Sequence, residues 1–206
     1  MIDKLLIKYA SPTLAGVKTG SLFKVYKHNK LNLNVEIRNY NLLLNSLDVY
    51  LDIIYTCDKY VLIYLYRSKM LLNDLKNKSV IDFLSTYGYE GINIEDYISH
   101  LKVRFKFFHK TPHEVGVFLG YPLNDVKDFI EYKGNNFKIC GCWKVYNDVE
   151  LCSNKFKIFK KYTQLFTHLY DNNYPLEILI HSWKNFNYKL LTKNIQSNKI
   201  VCIRTN

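Results

Sequence analysis

The segment YVLIYLY, residues 60–66, offers no polar face, so both sides of whatever it forms need covering. A run of β-branched and aromatic residues of this length reads as a strand, and one apolar on both faces reads as the central strand of a sheet. It is far short of the roughly 20 apolar residues that a membrane-spanning helix requires. A second such run, 49–55, lies just upstream. Thr56, Cys57, Asp58 and Lys59 separate the two, which makes the pair a hairpin.

The remaining chain is dominated by helical patterns. Residues 22–26 read as a further strand. Leucines at helical spacing mark 31–47, and helices are expected over 68–75, 79–87 and 94–108. Ser11-Pro12 reads as an N-cap followed by proline in the first turn, opening a short helix that Gly16 or Gly20 ends. Thr111-Pro-His-Glu114 has the spacing of a capping box, with Val115, Phe118 and Leu119 on one face of the helix it would start. Gly120 stops that helix and Pro122 begins the next, with Val126, Phe129 and Ile130 aligned. Residues 133–136 form a turn and 137–146 are extended. Over 149–170, Phe156, Phe159, Tyr162, Phe166 and Leu169 share one side of a long helix, opposite Lys157, Lys160, Lys161, Gln164 and His168. Residues 186–206 are a C-terminal extension in which 188–191 and 199–204 read as a hairpin. No repeat or long linker intervenes. The fold class is therefore α+β, with one domain over 1–185. It has a small, mainly antiparallel sheet packed with several helices, including a helix–Gly-turn–helix unit.

A chain of 206 residues can bury a core without disulfide or metal staples, and an apolar share of 48% rules out disorder. The five cysteines are an odd number, and MIDKLLIKYA lacks the apolar stretch of a secretory signal. Reduced thiols and a cytoplasmic location without membrane insertion are the expectation. A net charge of +11 raises nucleic acid as a partner. The sequence is also crowded with Lys, Asn, Ile, Tyr and Phe, the residues of AT-rich codons, so the charge by itself does not select that partner.

Several motifs come near to chemistry. His113-Glu114 opens like a zinc-protease HExxH, but Val117 stands where the second histidine belongs. Cys140-Gly-Cys142 is a CxC pair without a matching second pair. No metal site is read from it, although two thiols on one face of a strand suit a soft ion. Gly16-Val-Lys18-Thr19-Gly20 lacks the GxxxxGK[ST] pattern of a nucleotide triphosphate loop. Ser11 and Thr13 at a helix start, with Lys18 nearby, suit an anion or carboxylate. Trp143-Lys144-Val145-Tyr146 sets aromatics and a cation beside one another, either as a platform for a planar ligand or as a core strand under the long helix. The Gly120 turn also fits a helix-turn-helix template, with Gly116 four residues earlier and residues 122–131 as the recognition helix. Its outward face would carry Asn124, Asp125, Lys127, Asp128 and Glu131, and three carboxylates suit a phosphate backbone poorly.

SPTLAGVKTGSLF (11–23), Tyr66-Arg67 closing a strand, PHEVGVFLGYPLNDVKDFIEYKG (112–134) and CGCWKVYND (140–148) together resemble one family. It is the bacterial family catalogued as domain of unknown function 3793, found mostly in anaerobes, and the resemblance runs from about 5 to about 176. The resemblance implies no activity. It implies a setting near ferrous-iron transport and flavodoxin genes. It also implies a cysteine where this chain has Ala10 and another where it has Tyr162, so a mechanism built on those thiols would not operate here.

Three functions follow as expectations. The first is a ligand- or partner-binding accessory protein, linked by the resemblance to iron or redox physiology. It would bind a small molecule or protein partner and have no assigned cofactor. Its site would gather Ser11, Thr13, Lys18, His113, Tyr121, Trp143, Lys144 and Tyr146 around one pocket. The second is a helix-turn-helix DNA-binding regulator. The third is an enzyme acting on an anionic or planar small molecule, for which no catalytic residue can be assigned from spacing alone.

Overall fold

The computed structural model of the chain describes residues 2–26, 32–108 and 111–185. Three antiparallel strands, β1 (Gly20–Tyr26), β2 (Tyr50–Thr56) and β3 (Tyr60–Tyr66), lie in the order β1-β3-β2. The doubly apolar run is thus the central strand, as its composition requires, and Ile63, Tyr64 and Leu65 are wholly buried. Ile63 pairs with Phe23 on one side and Ile53 on the other. A bulge between Ile53 and Tyr55 then shifts the register of β2. That extra residue turns Tyr55 onto the face occupied by its partner Leu62.

Helices cover both faces. Phe23, Val25, Leu51, Val61, Ile63 and Leu65 pack into one core with α1 (Ile2–Leu14), α2 (Leu33–Leu44), α8 (Val149–Asp171) and α9 (Leu176–Asn185). Leu62, Tyr64 and Tyr66 pack on the other side with α3 (Ser68–Leu75), α4 (Lys78–Ser85) and α5 (Ile94–Phe108). The same core takes in α6 (Val115–Phe118) and α7 (Leu123–Glu131). The hairpin β4 (Ile139–Cys140) and β5 (Lys144–Val145) forms a third cluster with α8 around Trp143, Val145, Cys152 and Phe159. The lysine side of α8 is exposed and its aromatic side packed, as the periodicity predicts.

Three expectations are corrected. Ser11-Pro12 does not open a helix; it lies in the last turn of α1, whose apolar residues begin at Ile2. Pro12 is tolerated there because the carbonyl it leaves unpaired, that of Lys8, belongs to an exposed residue. Gly16 does end this helix, at φ +69°, through a Schellman pair in which Val17 N–H donates to Pro12 O (3.0 Å) and Gly16 N–H to Thr13 O (3.0 Å). Thr111–Glu114 is not a capping box: α6 is a single turn, preceded by turns closed between Val115 N–H and Pro112 O and between Gly116 N–H and His113 O. Glu114 is buried instead, with Arg104 Nε donating to it at 2.6 Å. The stretch 137–146 is not one strand but two short ones around a tight turn. Helix α9 was not expected, and the expected terminal hairpin lies outside the described residues.

Arg67, just after β3, is 6% exposed, and its guanidinium meets the carbonyl end of α1. Nε donates to Thr13 O (2.8 Å), one terminal nitrogen to Leu14 O, and the other to Leu47 O (2.6 Å). A cation at a helix C-terminus is favoured by the helix dipole, and charge-assisted bonds to carbonyls are strong. Arg67→Met strips charged donors from three carbonyls. It is expected to lower the unfolding free energy by about 3 kcal/mol in urea denaturation. A loss below about 1 kcal/mol would show that water replaces the guanidinium freely.

Candidate functional site

The segments that make the chain recognisable meet in space. Tyr64 Oη donates to Phe118 O at 2.6 Å, and a Cβ on Gly20 would stand 2.5 Å from the same oxygen. Gly120, at φ +73°, lies so close to Thr19 that a Cβ would come within 2.6 Å of Oγ1. Thr19 is itself fixed, its hydroxyl donating to Asp74 at 2.6 Å. These close approaches press the turn after α1 against the α6–α7 turn. They leave Lys18 projecting over Tyr121, with Nζ 5.5 Å from the ring centroid.

Asp125 builds the neighbouring wall. It is 2% exposed and receives Trp143 Nε1–H (2.8 Å), the backbone N–H groups of Tyr146 (3.0 Å) and Asn147 (3.1 Å), and the Asn147 amide (3.0 Å). Burial pushes its carboxyl pKa up, but these donors outweigh burial and hold it below the usual carboxylate value. The helix-turn-helix template placed this residue outward; it faces the core. Trp143 is held between Tyr121, stacked at 4.7 Å, and Phe156, edge-on at 4.6 Å. The turn between the two cysteines lies flat on α8, where a Cβ at Gly141 would meet the Phe156 ring at 2.3 Å.

Between these walls runs a groove of about 360 Å³, lined by Tyr9 and Ser21 on one side and by Phe156, Phe159 and Lys160 on the other, with Lys18 and Cys142 at its head. Burial pulls the Lys18 ammonium down to about 8, although Cys142 opposes this. Burial pushes the Cys142 thiol up, with Lys18 opposing. Among the described residues no carboxylate forms an ion pair with Lys18. The groove therefore offers a cation without an internal counter-ion, set among aromatic rings.

The eight expected site residues do not converge. Lys18 lines the groove, with Tyr121 and Trp143 packed behind it. Ser11 and Thr13 are wholly buried at the carbonyl end of α1, with Thr13 Oγ1 2.9 Å from Ser21 Oγ, so the anion-receiving helix start expected there is corrected. His113 is exposed against Phe129, ring centroids 5.0 Å apart. Lys144 Nζ donates to Gly134 O at 2.6 Å and covers Phe137. Tyr146 is buried beside Tyr132. Trp143 is a core residue rather than an exposed platform. Cys140 ends β4 and Cys142 lies in the turn after it, both exposed, so the two do not share one strand face. No cluster of three or more metal-ligating side chains occurs among the described residues.

Phe156 and Phe159 were legible as an apolar stripe but not as groove walls, and Lys160 was legible only as part of a solvated face. Arg67 and Asp125 carried no spacing signal of their roles. A larger cavity of about 680 Å³, with Asp3, Glu36, Tyr40, Asp171 and Glu177 among its lining residues, holds none of the expected site residues. Among the described residues no helix is long and apolar enough to cross a membrane.

The molecule is thus a small α+β protein whose three-stranded antiparallel sheet carries helices on both faces. Its sequence matches the profile of the family described as protein of unknown function (DUF3793) over residues 6–180, and the chain belongs to that family. No curated protein and no solved structure matches it.

Asp125→Asn turns an acceptor-only group into one whose amide nitrogen cannot receive the Trp143 N–H. The expected loss of stability is about 2 kcal/mol at pH 7. Because the folded-state pKa is depressed, Asp125 contributes above its unfolded value of about 3.9, and that contribution disappears as pH falls through the folded value. The difference between wild type and variant in urea unfolding should therefore shrink below about pH 4. A gap that stays constant into acid would assign the loss to packing.

Proposed function

We propose that this protein is a small-molecule binding protein. Its ligand is an anion with a planar or apolar body, seated in the groove headed by Lys18. The observation that carries this reading is the half-buried Lys18 ammonium, which has no carboxylate partner among the described residues and projects into an aromatic-walled groove. Desolvated cations without internal counter-ions favour an anionic guest, and aromatic walls favour a flat one. Lys160 adds a second positive charge along the same wall. The iron or redox setting implied by the resemblance would then concern what the bound molecule does, and a cytoplasmic location would fit the free thiols. A DNA-binding role draws less support, because α7 turns Asp125 into the core and presents Asp128 and Glu131 beside Lys127.

Isothermal titration with 2-naphthoate as probe tests the reading. Lys18→Met is expected to weaken binding at least about tenfold, the cost of one charge-assisted contact, while Lys18→Arg retains most of it. Affinity should fall as pH rises through about 8, where the ammonium loses its proton. Equal affinity of wild type and Lys18→Met would place the anion elsewhere.

A further inference from the structure

We propose that Lys18 condenses with the carbonyl carbon of an aldehyde or ketone ligand in this groove, forming an imine, so that the site captures its guest covalently and reversibly. The proposal rests on the groove being the ligand site. It also rests on how firmly the backbone beside the lysine is held. Lys18 is followed by Thr19, which is pinned through its side chain to Asp74 and through its carbonyl to Arg67 N–H at 2.9 Å. The backbone that carries Lys18 is thus a fixed turn rather than a mobile loop, so the side chain starts from one place at the groove, and its Nζ lies over the Tyr121 ring. The titratable groups that line the groove with it are Tyr9 on α1, Cys142 and, along α8, Lys160, and the Tyr121 ring lies under its ammonium. None of them is a carboxylate that would hold Lys18 as an ammonium.

Burial supports the same chemistry. With a pKa of about 8, roughly a fifth of Lys18 is free amine at pH 7.4, against roughly one in a thousand for an exposed lysine. The Cys142 thiol is shifted the other way, toward its protonated form, so the amine rather than the sulfur is the nucleophile ready in the groove. Neutral Nζ adds to the carbonyl carbon, and the carbonyl oxygen departs as water with the two hydrogens of the amine. The C=N bond remains, and its protonated form restores the positive charge opposite the ligand's anionic group. Lys160 supplies charge while Lys18 is neutral.

The test uses the full chain with 4-carboxybenzaldehyde, quenched by sodium borohydride, which adds hydride to the imine carbon and fixes a secondary amine. Peptide mapping then locates the adduct. The expected result is one adduct at Lys18, formed at least about tenfold faster than at Lys8 or Lys24. Its formation should saturate with probe, be blocked by 2-naphthoate, and increase with pH up to about 8, opposite to the binding of the simple anion. Lys18→Arg should abolish that adduct, while Lys8→Arg should leave it unchanged. If 2-naphthoate binds while Lys18 stays unlabelled or is labelled no faster than other lysines, the imine falls and the binding site stands. If 2-naphthoate neither binds nor protects, the groove reading and the imine fall together.

Discussion

The guanidinium of Arg67 joins segments that are far apart in the chain. Through its side chain it takes the last carbonyls of α1 and that of Leu47; through its backbone it bonds Thr19 and receives the first N–H of α3's ladder from Leu71. A buried arginine costs free energy unless its donors are satisfied, and here the unsatisfied carbonyls at a helix end supply acceptors that need donors. Each group answers the other's desolvation. The consequence is geometric: the end of α1, the start of β1, the approach to β2 and the start of α3 cannot move independently.

That constraint fixes the turn between α1 and β1, and the turn carries Lys18. Gly16 supplies the left-handed residue that stops the helix, and Gly20 lets the strand begin in contact with the Phe118 carbonyl, where no side chain fits. Lys18 sits between these two points with its ammonium over the Tyr121 ring. Its burial, and hence the depression of its pKa, follows from close packing around it rather than from a nearby charge.

The opposite wall depends on Asp125 in the same way. One carboxylate near the start of α7 gathers an indole N–H, two backbone N–H groups and an amide, and so ties the β4–β5 hairpin to α7, while the Trp143 ring packs on Phe156 of α8. Gly141 allows the turn to lie on the Phe156 ring. Two buried charges, Arg67 and Asp125, therefore position the two sides of the groove, and neither lines it.

Much of the fold was legible because its signals are local. The two-sided apolarity of 60–66 dictates a central strand, the spacing of Phe156, Phe159, Tyr162 and Phe166 dictates the packed face of α8, and the glycine after Leu119 dictates a break. Ser11-Pro12 misled because the same pair suits a helix start or a buried last turn, and only the packing of Ile2, Leu6 and Ala10 decides between them. Glu114 misled because its spacing matches a cap, while its partner Arg104 lies on another helix. The groove was hidden for the same reason. Lys18 is separated from Cys142 and Phe156 by most of the chain, and periodicity reports which face of an element is apolar, not which elements meet. By itself the sequence determined the central strand, the packed face of α8, the break at Gly120 and the family. Tertiary structure alone decided which charges are buried and satisfied and that Lys18 is left facing an open groove, because desolvation and pairing are properties of neighbours brought together by folding.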